Sequence, residues 1–400
     1  MRTAGRLDRI EPFYVMECAK AASDMAASAA CDPARGGSPM IFLNIGEPDF
    51  SAPPLVREAA EQALRAGRTQ YTAATGLPAL REALSRWYAS RFGLDIAPSR
   101  IVVTAGASAA LQLICLALVD RDDEVLMPDP SYPCNRHFVA AAEGVPVLLP
   151  AGAAQRFQLS AEAVEAAWTP RTRGVLLASP SNPTGTSIES AEMERIVTAV
   201  RQRGGFTLVD EIYLGLSYDD RFGHSALQHG VGHGDDVISI NSFSKYFSMT
   251  GWRLGWLVLP QSLVPAVEKL AQNFYICPSA VAQHAALACF EPLSIAEYER
   301  RREEFKARRD YLVPALNGLG LQVPVMPDGA FYAWADCSAH ASSSWDFVFE
   351  VMRRAHVAIT PGRDFGRHDS ERWVRFSYAS ALPELKTAVE RLGGMLSHAR

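Results

Sequence analysis

No stretch of this 400-residue chain approaches the ~20 consecutive apolar residues of a membrane-spanning helix. The N-terminal segment has no continuous apolar run either, since Glu17, Lys20 and Asp24 interrupt it, so no export signal is expected. Cysteine is sparse. The seven cysteines are odd in number, scattered and never spaced as Cys-x-x-Cys, so neither a disulfide framework nor a cysteine zinc site is expected. A basic surplus is missing as well, with 39 Lys+Arg against 44 Asp+Glu and a formal net charge of −5. Nucleic acid and anionic membranes are therefore not expected partners. These absences point to a cytoplasmic protein with reduced thiols. Its length suits two lobes, because a single core stops growing at about 250 to 300 residues.

Between residues 100 and 260 short apolar runs alternate with helix-like segments, the pattern of a mostly parallel sheet covered on both faces. The expected strands are Ile101–Thr104, Glu124–Met127, Gly174–Ala178, Phe206–Asp210, Val237–Asn241 and Leu254–Val258, with helices such as Ala109–Val119 and Glu189–Arg203 between them. Too few residues separate the last two strands for a crossover helix, so the final one is expected to be antiparallel and the sheet mixed. A charged helix near residues 295–316 then leads into a smaller α+β part, with strands at Ala330–Trp334 and Trp373–Ser377 and a helix at Trp345–Ala355. The expected division is a large domain at 47–294 and a small one made of 1–46 plus 295–400.

Ligands of open α/β sheets bind beyond the carboxyl ends of the strands, and several marked residues fall there. Asp210 ends an apolar strand, where its carboxylate is costly to desolvate without a cation. Asn182 follows one strand in Ser179-Pro180-Ser181-Asn182-Pro183, Tyr132 follows another, and Ser242 follows a third. The small residues Thr104-Ala105-Gly106-Ala107-Ser108 join a strand to a helix, where free N–H groups can hold an anion. Lys245 lies in Ser242-Phe243-Ser244-Lys245, ahead of Arg253. A lysine so placed reads as a Schiff-base amine beside a phosphate site, because burial and nearby cations free the nucleophile near neutrality. His229 and His233 are read as loop residues, not as a metal pair. The arginines between Arg300 and Arg309, interleaved with glutamates, are read as a solvated helix face, and Cys134 as a bystander thiol.

The combination resembles the class I and II aminotransferases, pyridoxal-phosphate enzymes of the aspartate aminotransferase fold. The resemblance runs from Asn44-Ile45-Gly46-Glu47-Pro48 through Tyr71-Thr72-Ala73-Ala74-Thr75-Gly76 to Trp373-Val374-Arg375-Phe376-Ser377. It implies that Lys245 forms the Schiff base with pyridoxal 5'-phosphate, that Asp210 pairs with the ring nitrogen, and that Asn182 and Tyr213 bond the phenolic oxygen. It implies a phosphate site of Ala107, Ser108, Ser242, Ser244 and Arg253, with Tyr71 reaching in from the neighbouring subunit of a homodimer, and Tyr132 lying over the ring. Arg375 takes the place of the arginine that grips the substrate carboxylate, with Asn182 and the backbone at Gly46 assisting. The resemblance implies no metal.

Two activities on that cofactor remain open. The first is transfer of the amino group of an L-amino acid, neutral or aromatic by preference with aspartate possible, to a 2-oxo acid such as 2-oxoglutarate or pyruvate by ping-pong kinetics. One branch of the family that handles acidic substrates carries a lysine where this chain has Ser108. The second activity is C–S β-elimination on the same fold. A non-catalytic, cofactor-sensing transcription regulator is the remote alternative, since the segment before residue 44 is too short and too weakly basic for a winged helix.

Overall fold

The computed structural model describes residues 2–232 and 235–397. After a two-residue strand β1 (Ile41–Phe42) come the seven strands of the main sheet: β2 (Ile101–Thr104), β3 (Glu124–Asp129), β4 (Val145–Pro150), β5 (Thr172–Ala178), β6 (Phe206–Asp210), β7 (Val237–Ser242) and β8 (Gly255–Val258). Their spatial order is β2-β8-β7-β6-β5-β3-β4. Strands β3 to β7 pair in parallel, whereas β8 runs antiparallel to both β2 and β7, giving the expected mixed sheet.

Successive residues of the central strands enter different cores. Val175 and Leu177 pack with Met193, Ile196 and Val200 of the helix Ser190–Gln202, while Leu176 faces Leu111 and Ile114 of the helix Ala107–Leu118. Burial on both faces is why these strands read as continuous apolar runs. The edge strand β4 escapes that pattern. It is half-exposed and contains Pro146 and Pro150, which a strand tolerates only at an edge.

A smaller sheet is made of β9 (Tyr332–Asp336), β11 (Thr360–Pro361) and β12 (Trp373–Ser377), with β12 central and antiparallel to both. The pair β1 and β10 (Val357–Ala358) is parallel and brings the chain before residue 46 to this side. Strand β9 starts two residues later than the apolar run suggests, because Ala330 has a left-handed φ of 58° and turns the chain.

The helix Pro292–Gly318 corrects the reading of its arginines as a solvated face. Arg301 and Arg308 are buried. Arg308 binds both carboxylate oxygens of Asp49 at 2.8 and 2.9 Å, Arg301 donates to the Ser51 carbonyl at 2.7 Å, and both guanidinium groups lie over the Phe50 ring. Their apolar stems make such burial tolerable. Among the described residues no helix is long and apolar enough to cross a membrane. His229 contacts Ser190 and Gln228, and His233 lies outside the described residues.

Candidate active site

The ends of β5, β6 and β7 and the turn after β2 open on one cavity of about 350 Å³. At its phosphate-like end the helix Ala107–Leu118 starts without a side-chain cap, so its first N–H groups point out unpaired by its own cap residue. Gly106 precedes it with φ +84°, and a Cβ there would sit 2.6 Å from Arg253 Nη2. Glycine is thus what lets the guanidinium close on the helix end. Arg253 Nη1 donates to the Thr250 carbonyl at 2.9 Å. The Ser244 N–H donates to Ser242 Oγ at 3.0 Å, and the Ser242 hydroxyl donates to the Leu254 carbonyl at 3.3 Å. N–H groups, hydroxyls and a forked cation converge here, the donors that a dianion takes.

Lys245 stands in the middle of the cavity and donates from Nζ to the Gly46 carbonyl at 2.5 Å. Burial pushes its ammonium down to about 8; Glu47 opposes that shift and Arg375 adds to it. Asp210 ends β6, only 4% exposed, and accepts from the Ile212 N–H at 3.2 Å. Burial pushes its carboxyl up to about 7, against that hydrogen bond and the Lys245 charge. A buried acid held by one backbone bond at 3.2 Å suits a cationic N–H of a ligand.

Arg375 lies on β12 and is 3% exposed. Its Nη1 donates to Asn182 Oδ1 at 2.9 Å and its Nη2 to the Asn44 carbonyl at 2.8 Å, while its plane lies 4.4 Å from the Tyr332 ring centre and 4.9 Å from that of Phe365. The Tyr213 and Tyr332 hydroxyls are hydrogen-bonded at 2.8 Å. Burial raises the Tyr213 phenol, with Tyr332 adding, so it keeps its proton as a donor. Tyr132 lines the same cavity and meets Phe13 edge to face at 6.5 Å.

The sequence-read residues Gly46, Ala107, Ser108, Tyr132, Asn182, Asp210, Tyr213, Ser242, Ser244, Lys245, Arg253 and Arg375 all line this one cavity. Tyr71 does not; it is 78% exposed. Sequence reasoning missed Tyr332, the Asn44 carbonyl, and Phe13, Val15 and Met16 of the N-terminal segment, all at the site. Tyr332 was visible only as one aromatic of a strand.

Comparison with known proteins places the chain in one family. Residues 38–392 match the family Aminotransferase class I and II. The chain is 36% identical to valine–pyruvate aminotransferase of Mycobacterium tuberculosis over 97% of each chain. It is also 36% identical to an aspartate aminotransferase of Rhizobium meliloti, over 90% of this chain and 89% of the other. Among solved structures, an aminotransferase from Mycobacterium tuberculosis superposes with TM-score 0.92 at 36% identity, covering all of both chains. Aspartate aminotransferase from Thermus thermophilus with maleate gives 0.89 at 31%, covering 99% of this chain and 100% of that one. The fold and the site define a pyridoxal-phosphate-dependent transferase of fold type I. The chain belongs to the class I and II aminotransferases and is a transaminase. Its donor set fits the cofactor: a buried acid, a depressed lysine and an anion cradle at one helix end.

Proposed function

We propose that this transaminase moves the amino group of a neutral or aromatic L-amino acid to a 2-oxo acid such as 2-oxoglutarate or pyruvate, in two half-reactions of a ping-pong cycle. The observation carrying the substrate choice is the charge of the cavity wall. Its cations among the described residues are Lys245, Arg253 and Arg375. Lys245 and Arg253 belong to the amine and phosphate ends, so Arg375 remains for one carboxylate and no other cation of the cavity for a second, which makes pyruvate the acceptor this wall suits and 2-oxoglutarate, like aspartate, the less favoured. Relatives at equal identity are named for valine–pyruvate and for aspartate, so names do not choose between donors.

Pyridoxal phosphate, when bound, supplies an aldehyde for the amino group and a ring that withdraws electrons from the substrate Cα. Ala107, Ser108, Ser242, Ser244 and Arg253 are assigned to the phosphate. Asp210 would hold the ring nitrogen in its protonated form, Asn182 and Tyr213 would bond the phenolic oxygen, and Tyr132 would cover the ring. Lys245 would hold the aldehyde carbon of the cofactor through its amine, and that amine, when free, would carry the proton that leaves the substrate Cα. The depressed lysine supports that role, since an amine near 8 both accepts and returns a proton around neutrality. Arg375, prepositioned by Asn182 and the Asn44 carbonyl, holds the α-carboxylate.

The exposure of Tyr71 supports a homodimer in which it completes the neighbouring phosphate site. The same reading divides the chain at 47–294 and 1–46 plus 295–400, supported by the β1–β10 pairing. The test is a donor panel with purified holoenzyme and either acceptor. Formation of the matching 2-oxo acid from leucine, valine or phenylalanine faster than from aspartate is expected. Release of ammonia and pyruvate from cystathionine without transfer would overturn the reading.

A further inference from the structure

Strand β6 ends at Asp210, and Glu211 follows with its N–H still bonded to the Ile240 carbonyl at 2.8 Å. Alternation along a strand sends the two side chains to opposite faces. Asp210 lines the cavity, whereas Glu211, 1% exposed, is enclosed behind it. Among the described residues its carboxylate accepts from three donors and pairs with no cation. The Ala226 N–H reaches Oε1 at 2.6 Å, and the hydroxyls of Ser225 and Ser239 reach Oε2 at 2.9 and 2.6 Å. Both hydroxyls have a fixed polarity. Ser225 Oγ takes the Leu227 N–H at 3.3 Å and Ser239 Oγ takes Asn241 Nδ2 at 3.2 Å, so each gives its own proton to Glu211. The other Asn241 hydrogen goes to the Tyr88 hydroxyl at 3.2 Å, which also accepts from Trp256 Nε1 at 3.1 Å. Donors on β7 and on the segment 225–226 thus converge on one carboxylate, an arrangement that suits its ionised form. Burial pushes Glu211 up to about 7; the three hydrogen bonds oppose that shift and Asp210 adds to it. The other titratable groups near it are Tyr88, whose phenol burial raises, and Arg221, His224 and His229, which border the same small pocket. The chemistry assigned to the site uses Asp210 and leaves this second acid idle.

We propose that Glu211 is a positioning residue acting through Asp210: its carboxylate, fixed by Ser225, Ala226 and Ser239, sets a second negative charge behind the acid assigned to the ring nitrogen, so that both acids hold the cationic ring. This rests on the assignment of Asp210 to the ring nitrogen and goes beyond it. In the apoprotein above neutral pH the two neighbouring charges repel, and the cost belongs to the pair and not to either residue. A cationic N–H set against Asp210 relieves that repulsion, so binding strength is drawn from both acids. An amide in place of Glu211 keeps the shape and withdraws the charge.

The experiment is a double-mutant cycle with Glu211→Gln, Asp210→Asn and both together, each prepared as full-length apoprotein and titrated with pyridoxal phosphate by fluorescence at pH 8.5. Glu211→Gln should weaken binding about tenfold when Asp210 is present and by less than about twofold when it is replaced. Urea unfolding of the same apoproteins should show the two changes coupled at pH 8.5, where both acids are charged, and additive at pH 5, where both are protonated. A purely structural Glu211 would lower affinity by one factor in both backgrounds and couple equally at both pH values; either result overturns the proposal. Ser239→Ala decides the matter where Glu211→Gln does not fold. With one donor gone Glu211 takes up a proton more readily, so binding should weaken about threefold at pH 8 and return to the wild-type value at pH 9.5. A deficit that is absent, or that persists at pH 9.5, overturns the proposal as well. Wild-type affinity in Glu211→Gln beside a weakened Asp210→Asn removes Glu211 and leaves the ring-nitrogen assignment standing, whereas wild-type affinity in Asp210→Asn removes both.

Discussion

Arg375 and Asn182 face each other across the cavity at 2.9 Å, one on β12 of the small sheet and the other on the loop after β5 of the large one. The bond does more than satisfy a buried amide. It fixes the plane of the guanidinium, which the Asn44 carbonyl and the rings of Tyr332 and Phe365 hold from other directions. Arg375→Lys keeps the charge but loses the fork, so kcat/KM for every amino acid should fall about a hundredfold, mainly through KM. Asn182→Ala leaves Nη1 unpaired and should lower stability by about 1–3 kcal/mol in thermal or urea unfolding. A lysine variant with unchanged KM would remove Arg375 from the carboxylate site.

Gly46 is required by its neighbour. A Cβ there would lie 2.8 Å from the Tyr332 hydroxyl, which is buried and bonded to Tyr213. Gly46→Ala should push Tyr332 from that bond and shift the carbonyl that accepts from Lys245. Overpacking of this kind costs about 1–3 kcal/mol. The expected outcome is a larger fractional loss of kcat than the small fall in melting temperature suggests, read by parallel kinetics and thermal unfolding.

Burial of Asp210 costs the apoprotein stability at neutral pH. Its folded-state carboxyl titrates near 7, against an unfolded value of about 4. Between those values the folded apoprotein holds a proton that the unfolded chain has lost, so stability from this group is complete below about pH 4 and declines up to about pH 7. Asp210→Asn abolishes that decline. The apo variant should therefore unfold at a higher temperature than wild-type apoprotein above pH 7, yet release pyridoxal phosphate at least about tenfold more readily. Thermal scans of both apoproteins across pH 4 to 9, with a cofactor titration by fluorescence, check both signs. An apo variant less stable than wild type at pH 8 contradicts the account.

The residues of this cavity were legible in the chain because they sit at strand ends. Asp210 and Ser242 terminate apolar runs whose two-faced burial makes them conspicuous, and Asn182, Lys245 and Arg253 lie in the loops just beyond. Strand β4 was not legible, since an edge strand with two prolines loses the apolar continuity that marks its neighbours. Neither was the contact of residues 13–16 with the cavity. It depends on Asp364, about 350 residues away, capping a helix that has no cap of its own, and no local pattern announces so distant a partner. Arg301 and Arg308 misled for a related reason. Interleaved charges look solvated until Asp49 and Phe50 pack against them.

Arg308 gives the last prediction. It is 2% exposed, binds Asp49 through both nitrogens of its fork and Glu304 at 2.6 Å, and stacks on Phe50 and Phe305. Asp49 lies three residues after Gly46, whose carbonyl receives Lys245. Removing the guanidinium unpairs a partly buried acid and opens a gap beside two rings. Arg308→Ala should cost about 3 kcal/mol. Arg308→Lys restores the charge without the two-point contact, so it should recover part of the stability but leave the Gly46–Asp49 turn loosened and kcat reduced. Urea unfolding separates the two variants, and a lysine variant with wild-type kcat and stability would show that the fork is dispensable.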